Sequence, residues 1–517
     1  MASMTRMDDQ ETKLGGKWVT MDQPPLLKLL QNILREYPKD AQIFHELVQN
    51  AEDAEATVMK ILFIPETSTS SPPEFEKYFQ SPGVCVYNDA LFNEVDWTNI
   101  RSVCISHKET EENKIGKYGQ GFKSIFHLTE SKIEQLLNNF ADDASIVLLF
   151  LNNLHKIQMY NHKDPTKLYF QVERTQILSQ TNFPENTIPL ENTSDECLIR
   201  EIDIKLTTAE TPSQTNKWLI VNQTDRTSNN QRDEFDIGPH CKPNITLAYH
   251  YTSSEDKPMI GGRIFNYLPL PETCITGFPV CVQGPFAISQ NRRELKLPDK
   301  RSTDRFVLWN EKLFQLIPST YKLLVNYLIS TSDRNGNSEQ LVSTVYNCIP
   351  DIDKVETFWK PYTESVYEEL LTLPIFFTEL TDNHWVNKEV ALNPPTNNAV
   401  VKTQVTTYLL DHKQPVIKIG GNIPSILDRS EITMITPAFM VTLLKNAVLP
   451  EAYAEEMRIC LLEYILQDDP TLDIDGIELI PVENGDYVCF RRPYEYDEEP
   501  EEKLLILSAD QRRVFWT

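Results

Sequence analysis

Glu46-Leu47-Val48-Gln49-Asn50-Ala51-Glu52-Asp53-Ala54 has the spacing of an amphipathic helix whose polar side chains are acids and amides. Glu46 and Asn50 lie one turn apart on one face, and Asp53 extends that face by a further turn. A carboxylate and an amide stacked in this way can hold a hydrated divalent cation and orient a water molecule. The stretch therefore predicts a helix that carries one wall of a polar site.

A glycine-rich motif follows about seventy residues later, and it reads Ile115-Gly116-Lys117-Tyr118-Gly119-Gln120-Gly121-Phe122-Lys123-Ser124. Its glycines lead into a predicted helix start, where backbone N–H groups can bind phosphate. Taken singly, the acidic stretch is equally typical of a solvated helix face, and the glycines of a plain turn. Together the two motifs predict a nucleotide site.

The composition limits the classes of function. The chain has 517 residues, of which 40% are apolar and 24% charged, a globular balance that predicts two to four domains. The net charge of −26 repels polyphosphate backbones and anionic lipid surfaces, so we expect no general binding of nucleic acid. No apolar run reaches the roughly 20 residues that span a bilayer, so we expect no membrane insertion.

The cysteines and the first residues predict the cellular compartment. Nine cysteines are scattered along the chain without a C-x-x-C pair, and the first residues lack the apolar segment of a signal peptide. This pattern predicts reduced thiols in the cytosol or nucleus, and we expect a cytoplasmic location.

The order of apolar patterns predicts an α+β fold in several parts. Residues 1–24 are polar and are predicted to be a flexible N-terminus, and residues 25–130 form an α/β layer with strands at 58–64 and 84–87. A mixed α/β domain is predicted over 131–335, ending in a long helix from Trp309 to Ile329. A cluster of Ser, Asp, Asn and Gly at 330–339 then marks the start of a C-terminal mixed α/β domain, 336–517.

These motifs resemble the GHKL ATPase superfamily, whose nucleotide-binding fold is the Bergerat α/β sandwich. The resemblance is closer to a repeat unit of the sacsin-like proteins, and it runs from about residue 25 to residue 510. Several motifs in one order carry it: ELVQNAEDAEAT (46–57), VYNDALFNEVDW (86–97), IGKYGQGFKSIFHLTE (115–130), GRIFNYLPLP (262–271) and GPFAISQNRRELKL (284–297).

The resemblance implies ATP and Mg²⁺ as cofactors and a role for each motif residue. Glu46 would be the base that orients the attacking water, Asn50 would bind magnesium, and Asp53 would lie at the pocket wall. Asp89 would read adenine, although the family's D-x-G-x-G is here Asn88-Asp89-Ala90-Leu91-Phe92. An ordinary turn at Asn88-Asp89 remains the alternative.

The phosphate-binding residues follow from the same resemblance. The phosphate loop would be formed by Gly116, Gly119 and Gly121, with Lys123 and Ser124 nearby. The Asn291-Arg292-Arg293 stretch resembles the segment of the large heat-shock chaperones that sends an arginine to the γ-phosphate, and we favour Arg293 for this role. Surface cations that pair with the acidic protein are the alternative for Arg292 and Arg293.

One departure from the family affects the nucleotide layer. In sacsin-like units a substantial segment follows the glycine-loop helix, whereas here Glu130 passes directly into Ser131. The Bergerat-type layer is thus predicted to be truncated, with two strands that are too few to be stable alone.

Two functions remain open at this point. The first is a chaperone or co-chaperone module that binds ATP, hydrolyses it slowly and acts on client or partner proteins. The second is a non-catalytic module that serves as a protein-interaction scaffold. A DNA-acting GHKL protein is disfavoured by the charge of −26, and the sequence leaves open whether copies of the chain form a homo-oligomer.

Overall fold

The fold comes from a computed structural model that describes part of the chain. The described residues are 28, 42–64, 83–92, 94, 96, 139–141, 143–160, 167–181, 196–209, 212–225, 242–251, 260–289, 293–297, 304–335, 338–380, 384–395, 399–446, 455–466, 472–481 and 487–489. The glycine motif with Gly116, Gly119, Gly121, Lys123 and Ser124 lies outside them, as does Arg292.

The described residues form a mixed α/β structure. The helices are α1 (Gln42–Asp53), α2 (Arg305–Phe314), α3 (Ile317–Asn335), α4 (Ser338–Cys348), α5 (Lys360–Leu370), α6 (Ala399–Asp411), α7 (Ile423–Ser430), α8 (Pro437–Asn446) and α9 (Glu455–Ile465). The strands are β1 (Val58–Ile64), β2 (Gly83–Asn88), β3 (Lys156–Tyr160), β4 (Leu168–Thr181), β5 (Glu196–Thr208), β6 (Gln214–Thr224), β7 (Asn244–Tyr251), β8 (Ile264–Asn266), β9 (Leu268–Pro269), β10 (Val280–Gln283), β11 (Phe376–Phe377), β12 (Trp385–Val386), β13 (Leu392–Asn393), β14 (Thr433–Met434), β15 (Glu478–Pro481) and β16 (Tyr487–Cys489).

One large mixed sheet contains the strands between Val58 and Gln283. Its order is β2-β1-β3-β4-β5-β6-β7-β10-β8-β9. Most neighbours are antiparallel, but β1 runs parallel to β3 and β10 runs parallel to β8. The predicted strands at 58–64 and 84–87 are confirmed, and they do not stand alone, because they form one end of this sheet. The pairing of β1 with β3 therefore supplies the partners that a two-stranded layer needs.

The two faces of the sheet carry two cores. On β6, Trp218 and Ile220 point into a core shared with α1 and with the buried run 146–151, whereas Leu219 and Val221 point into a core shared with α2, α3 and α5. This alternation follows from the two-residue period of a strand. The result is a sheet with helices on both faces.

The predicted long helix from Trp309 to Ile329 is wrong in one respect, because the structure has two helices there. α2 ends at Phe314, and α3 begins at Ile317 with Pro318 in its first turn. Pro318 lacks the N–H that would donate to the carbonyl of Phe314, so a continuous helix is interrupted at this point. The first turn of a helix tolerates proline, and α3 starts there.

The polar cluster at 330–339 is largely helical, because α3 runs to Asn335 and α4 begins at Ser338. α4 and α5 pack into the same core as the sheet, and a separate core begins at Leu392 and continues to Leu479. The domain bounds 25–130, 131–335 and 336–517 stay predictions. Within the described residues, no helix is both long and apolar enough to cross a bilayer.

Gly277 should be intolerant of any side chain. Its φ is +78°, and an added Cβ would lie 2.3 Å from the carbonyl oxygen of Lys354. Gly476 is a matched control, since its φ of +81° is similar but an added Cβ would meet nothing within 4 Å. We expect Gly476→Ala to lower the free energy of unfolding by about 1–2 kcal/mol for the backbone conformation alone. Gly277→Ala should lose about 1–3 kcal/mol more from the clash.

Urea titration of both variants measures this difference. Equal losses at the two positions would show that the contact between the Gly277 turn and Lys354 is looser than the structure describes.

Candidate functional site

The helix α1 carries the predicted residues Glu46, Asn50 and Asp53, and it is buried on almost every side. Of its residues, all except Gln42 and Asn50 are buried. Buried polar side chains need partners inside the protein, so most of the polar positions of α1 are committed to internal contacts. Beyond its first residue, Asn50 is the position of α1 that remains partly accessible.

Glu46 lies one turn before Asn50 and is only 5% exposed. Its Oε1 accepts a hydrogen bond from Nε2 of Gln42 at 3.4 Å, which is long for such a bond. Asp53 is 4% exposed and lies about one turn after Asn50, toward the C-terminal end of the helix. Chemically, the face offers an accessible amide at Asn50 with a buried carboxylate one turn away on each side.

Glu52 is a structural carboxylate that the sequence analysis did not identify. Its two oxygens accept hydrogen bonds from three successive backbone N–H groups, those of Asn152 at 2.7 Å, Asn153 at 3.0 Å and Leu154 at 2.8 Å. Glu52 lies two residues after Asn50 and thus points to another side of the helix. It fixes the loop before β3 to the C-terminal end of α1.

Arg174 on β4 holds the same loop from the other side. Its guanidinium donates to the carbonyl oxygens of Leu148, Leu151 and Asn152, the last at 3.1 Å, and contacts Nδ1 of His155 at 2.8 Å. Burial, together with the positive charge of Arg200, lowers the pKa of Arg174 to about 10. The loop is therefore held by a carboxylate on its N–H groups and a guanidinium on its carbonyl groups.

Asp89 lies at the end of β2 and joins it to the residues after α1. Its Oδ1 accepts from the backbone N–H groups of Thr57 at 2.8 Å and Val58 at 3.0 Å, and its Oδ2 accepts from the Thr57 hydroxyl at 2.5 Å. Burial opposes ionisation, but these hydrogen bonds outweigh it and lower the pKa of Asp89. A turn does occur here, and Asn88 forms it by accepting from the N–H of Ala90 at 3.1 Å.

A partly buried ionic cluster joins the N-terminal half of α1 to the start of β8. Asp143 lies 3.3 Å from Nε2 of His45 and 3.1 Å from Nη1 of Arg263. Burial disfavours the charged carboxylate, but the hydrogen bonds and charges of His45 and Arg263 outweigh this and lower the pKa of Asp143. We call His45, Asp143 and Arg263 the ionic cluster.

The predicted arginine lies in a hairpin that comes close to this cluster. Ile288 pairs with Leu295, and we call the described residues 287–289 and 293–296 the arginine hairpin. The carbonyl of Arg293 accepts from the Cys274 thiol at 3.0 Å. The residue after Cys274, Ile275, pairs in turn with Arg263. A short series of contacts thus links Arg293 to the ionic cluster and, through it, to α1.

Glu46, Asn50 and Asp53 lie on one helix, while Asp89 and Arg293 are connected to that helix through other residues. Asp89 is held at the C-terminal end of α1, and Arg293 is linked by contacts to its N-terminal half. The predicted glycine loop cannot be placed relative to them, because it lies outside the described residues.

Comparison with known proteins also indicates a similarity to sacsin, as the sequence motifs do. Residues 23–131 match the family model described as "Sacsin domain". Human sacsin is 25% identical over an alignment of 623 residues, which covers 96% of this chain and 13% of that protein. The chain is similar to sacsin over almost all of its length. The chain thus spans about an eighth of the length of this relative.

The alignment with sacsin is longer than the chain by 106 positions (623 against 517), so human sacsin has residues within the aligned region that this chain lacks. The sacsin-domain match ends at residue 131, the junction at which a segment is expected to be missing.

Asp143→Asn should destabilise the fold, because it removes the carboxylate charge beside the partly buried Arg263 guanidinium and leaves Arg263 with the exposed Glu272 at 4.0 Å. We expect a loss of about 2 kcal/mol in the free energy of unfolding. Glu364→Gln is the matched control, since Glu364 pairs with Arg429 at 2.6 Å but both side chains are more than one-third exposed or close to it. The control should lose about 1 kcal/mol or less.

The pH dependence has a defined sign. The folded state lowers the pKa of Asp143. The contribution of Asp143 to the free energy of unfolding is therefore complete above the unfolded pKa of about 3.9, and it is lost as pH falls through the lower pKa of the folded state. The stability difference between wild type and Asp143→Asn should be full at about pH 6 and shrink below about pH 4. A difference that stays constant down to about pH 2 would contradict the role of the charged form.

Proposed function

We propose that this chain is a sacsin-like chaperone or co-chaperone module that binds ATP with Mg²⁺ and acts on client proteins. The observation that carries the proposal is the order of side chains along α1. Asp89 is bound to the residues after its C-terminal end, Asn50 is its accessible amide, and Glu46 lies one turn farther toward the N-terminus. An adenine-reading group, a magnesium ligand and a base would be needed in that order along a bound nucleotide.

The residues present fit these groups. Asn50 offers an amide oxygen, a ligand type that Mg²⁺ accepts, at a position that a ligand can reach. A carboxylate has about four acceptor sites, and the bonds from Thr57 and Val58 use three of those of Asp89. One acceptor site is left for the exocyclic amine of adenine.

The chain's own residues would act through position and charge. Bound Mg²⁺ would neutralise negative charge on the phosphates. Glu46, held in a buried environment, orients a water molecule and accepts its proton, and low exposure strengthens that interaction. Arg293 supplies a positive charge at the far end of the phosphates from a hairpin tied to the ionic cluster.

The broader role rests on similarity. The likeness to sacsin over 96% of the chain supports a chaperone-related module that binds client or partner proteins in the cytoplasm. The chain spans 13% of human sacsin, so the activity of the whole relative is part of this proposal.

A second candidate is the non-catalytic scaffold, and one observation favours it. Human sacsin has at least 106 aligned positions that this chain lacks, and the sacsin-domain match stops at residue 131. A nucleotide-binding layer shortened after residue 131 can keep its sheet, because β1 pairs with β3, without keeping a complete nucleotide pocket.

Binding of ATP should require Asn50 and Asp89. We expect purified protein to bind labelled ATP only with Mg²⁺, and Asn50→Ala or Asp89→Asn to reduce affinity at least tenfold, the effect of about 1.4 kcal/mol. Asp89→Asn keeps Oδ1, which accepts from the two backbone N–H groups of Thr57 and Val58, so the strand ends stay joined. Asn446→Ala, at the end of α8, is the control that should bind as wild type does.

Turnover should require Glu46. We expect Glu46→Ala to bind ATP within about twofold of wild type and to lose hydrolysis by about 100-fold or more, since a general base typically contributes 10²–10⁴-fold. Phosphate release under single-turnover conditions measures this. Hydrolysis that survives in Glu46→Ala would refute the assigned base, and wild-type protein that binds no ATP would favour the scaffold.

A further inference from the structure

The side chain of Asn310 is fully buried, and its amide is fully used. Asn310 lies on α2 with 0% exposure. Its Oδ1 accepts from the backbone N–H of Ala287 at 2.7 Å, and its Nδ2 donates to the carbonyl oxygens of Ala287 at 2.7 Å and Lys296 at 2.9 Å. A buried amide with both donors and its acceptor satisfied fixes the geometry of the groups it joins.

Those groups are the two ends of the arginine hairpin. Ala287 and Lys296 face each other, with the Lys296 N–H donating to the carbonyl of Ala287 at 3.1 Å. Asn310 therefore holds both strands of the hairpin at its base. Its neighbour Trp309 adds a fourth hydrogen bond by donating from Nε1 to the carbonyl of Pro285 at 2.8 Å.

Ser289 connects this base to the backbone of Arg293 and Glu294. Its Oγ accepts from the backbone N–H of Arg293 at 3.2 Å and from that of Glu294 at 3.1 Å. Ser289 lies two residues after Ala287, so the backbone of Arg293 is connected to the Asn310 amide through Ser289 and Ala287. A side chain reaching a phosphate depends on such fixed backbone, because a misplacement of about 1 Å can reduce a rate about 100-fold.

We propose that Asn310, acting through Ser289, is a positioning residue that holds Arg293 for the γ-phosphate. This inference rests on the proposed function, because it assigns Arg293 a role in turnover. The effect belongs to the hydrolysis step and leaves nucleotide binding at α1 unchanged, since Asn50 and Asp89 lie on other elements.

The first measurement is structural and requires no nucleotide. We expect Asn310→Ala to speed hydrogen exchange at the amides of Arg293 and Glu294 at least tenfold, and Ser289→Ala to do so at the same amides. Asn422→Ala is the matched control, since the Asn422 Nδ2 also donates to a backbone carbonyl, that of Ile349 at 2.7 Å. It should leave exchange in the hairpin unchanged.

The second measurement is a double-mutant cycle on ATP hydrolysis. Asn310→Ala and Ser289→Ala should each lower kcat about 10- to 100-fold with KM and the ATP Kd within about twofold of wild type. In the Arg293→Ala background neither change should lower kcat further, because the residue they position is gone. Ser289→Ala keeps the test available if Asn310→Ala unfolds.

The outcomes separate this inference from the proposed function. Wild-type protein that binds no ATP overturns the proposed function, and this inference with it. If ATP is bound, unchanged exchange in the hairpin, or an equal further loss of kcat in the Arg293→Ala background, overturns the positioning role alone.

Discussion

The parallel pairing of β1 with β3 is the interaction on which the rest of the structure depends. Thr57, just before β1, is its centre: the carbonyl accepts from the N–H groups of His155 at 2.9 Å and Lys156 at 3.2 Å, while the N–H and hydroxyl donate to Asp89. Glu52 fixes the residues directly before β3. Two carboxylates thus hold the starts of neighbouring strands in register, and α1 is buried against the sheet that results.

Local structure could be predicted from the sequence, and long-range pairing could not. The spacing of Glu46, Asn50 and Asp53 predicts α1, and the apolar run at 58–64 predicts β1, because both patterns are local. The break at Pro318 was available from the same rules. The pairing of β1 with β3 joins residues almost a hundred apart, and no local pattern specifies such a partner.

The residues of the candidate site could be predicted from the sequence, but their burial and their partners could not. Glu46 and Asn50 share a helix face as expected, but their different burial follows from how the sheet and the 146–151 run cover α1. Glu52 and Asp143 look like solvated acids in the sequence, and their roles depend on backbone N–H groups and cations brought from distant segments. Glu52 and Asp143 thus hold the fold together, whereas Glu46 and Asp53 flank the accessible amide of Asn50.

The β1–β3 pairing also sets an order of events during synthesis. α1 and β1 leave the ribosome before their sheet partner exists, and about a hundred further residues must be translated before β3 emerges. At about 5–20 residues per second, this is a delay of about 5–20 s. We expect the apolar side chains of α1 to be uncovered during that interval, which makes the nascent chain prone to aggregation until the sheet closes.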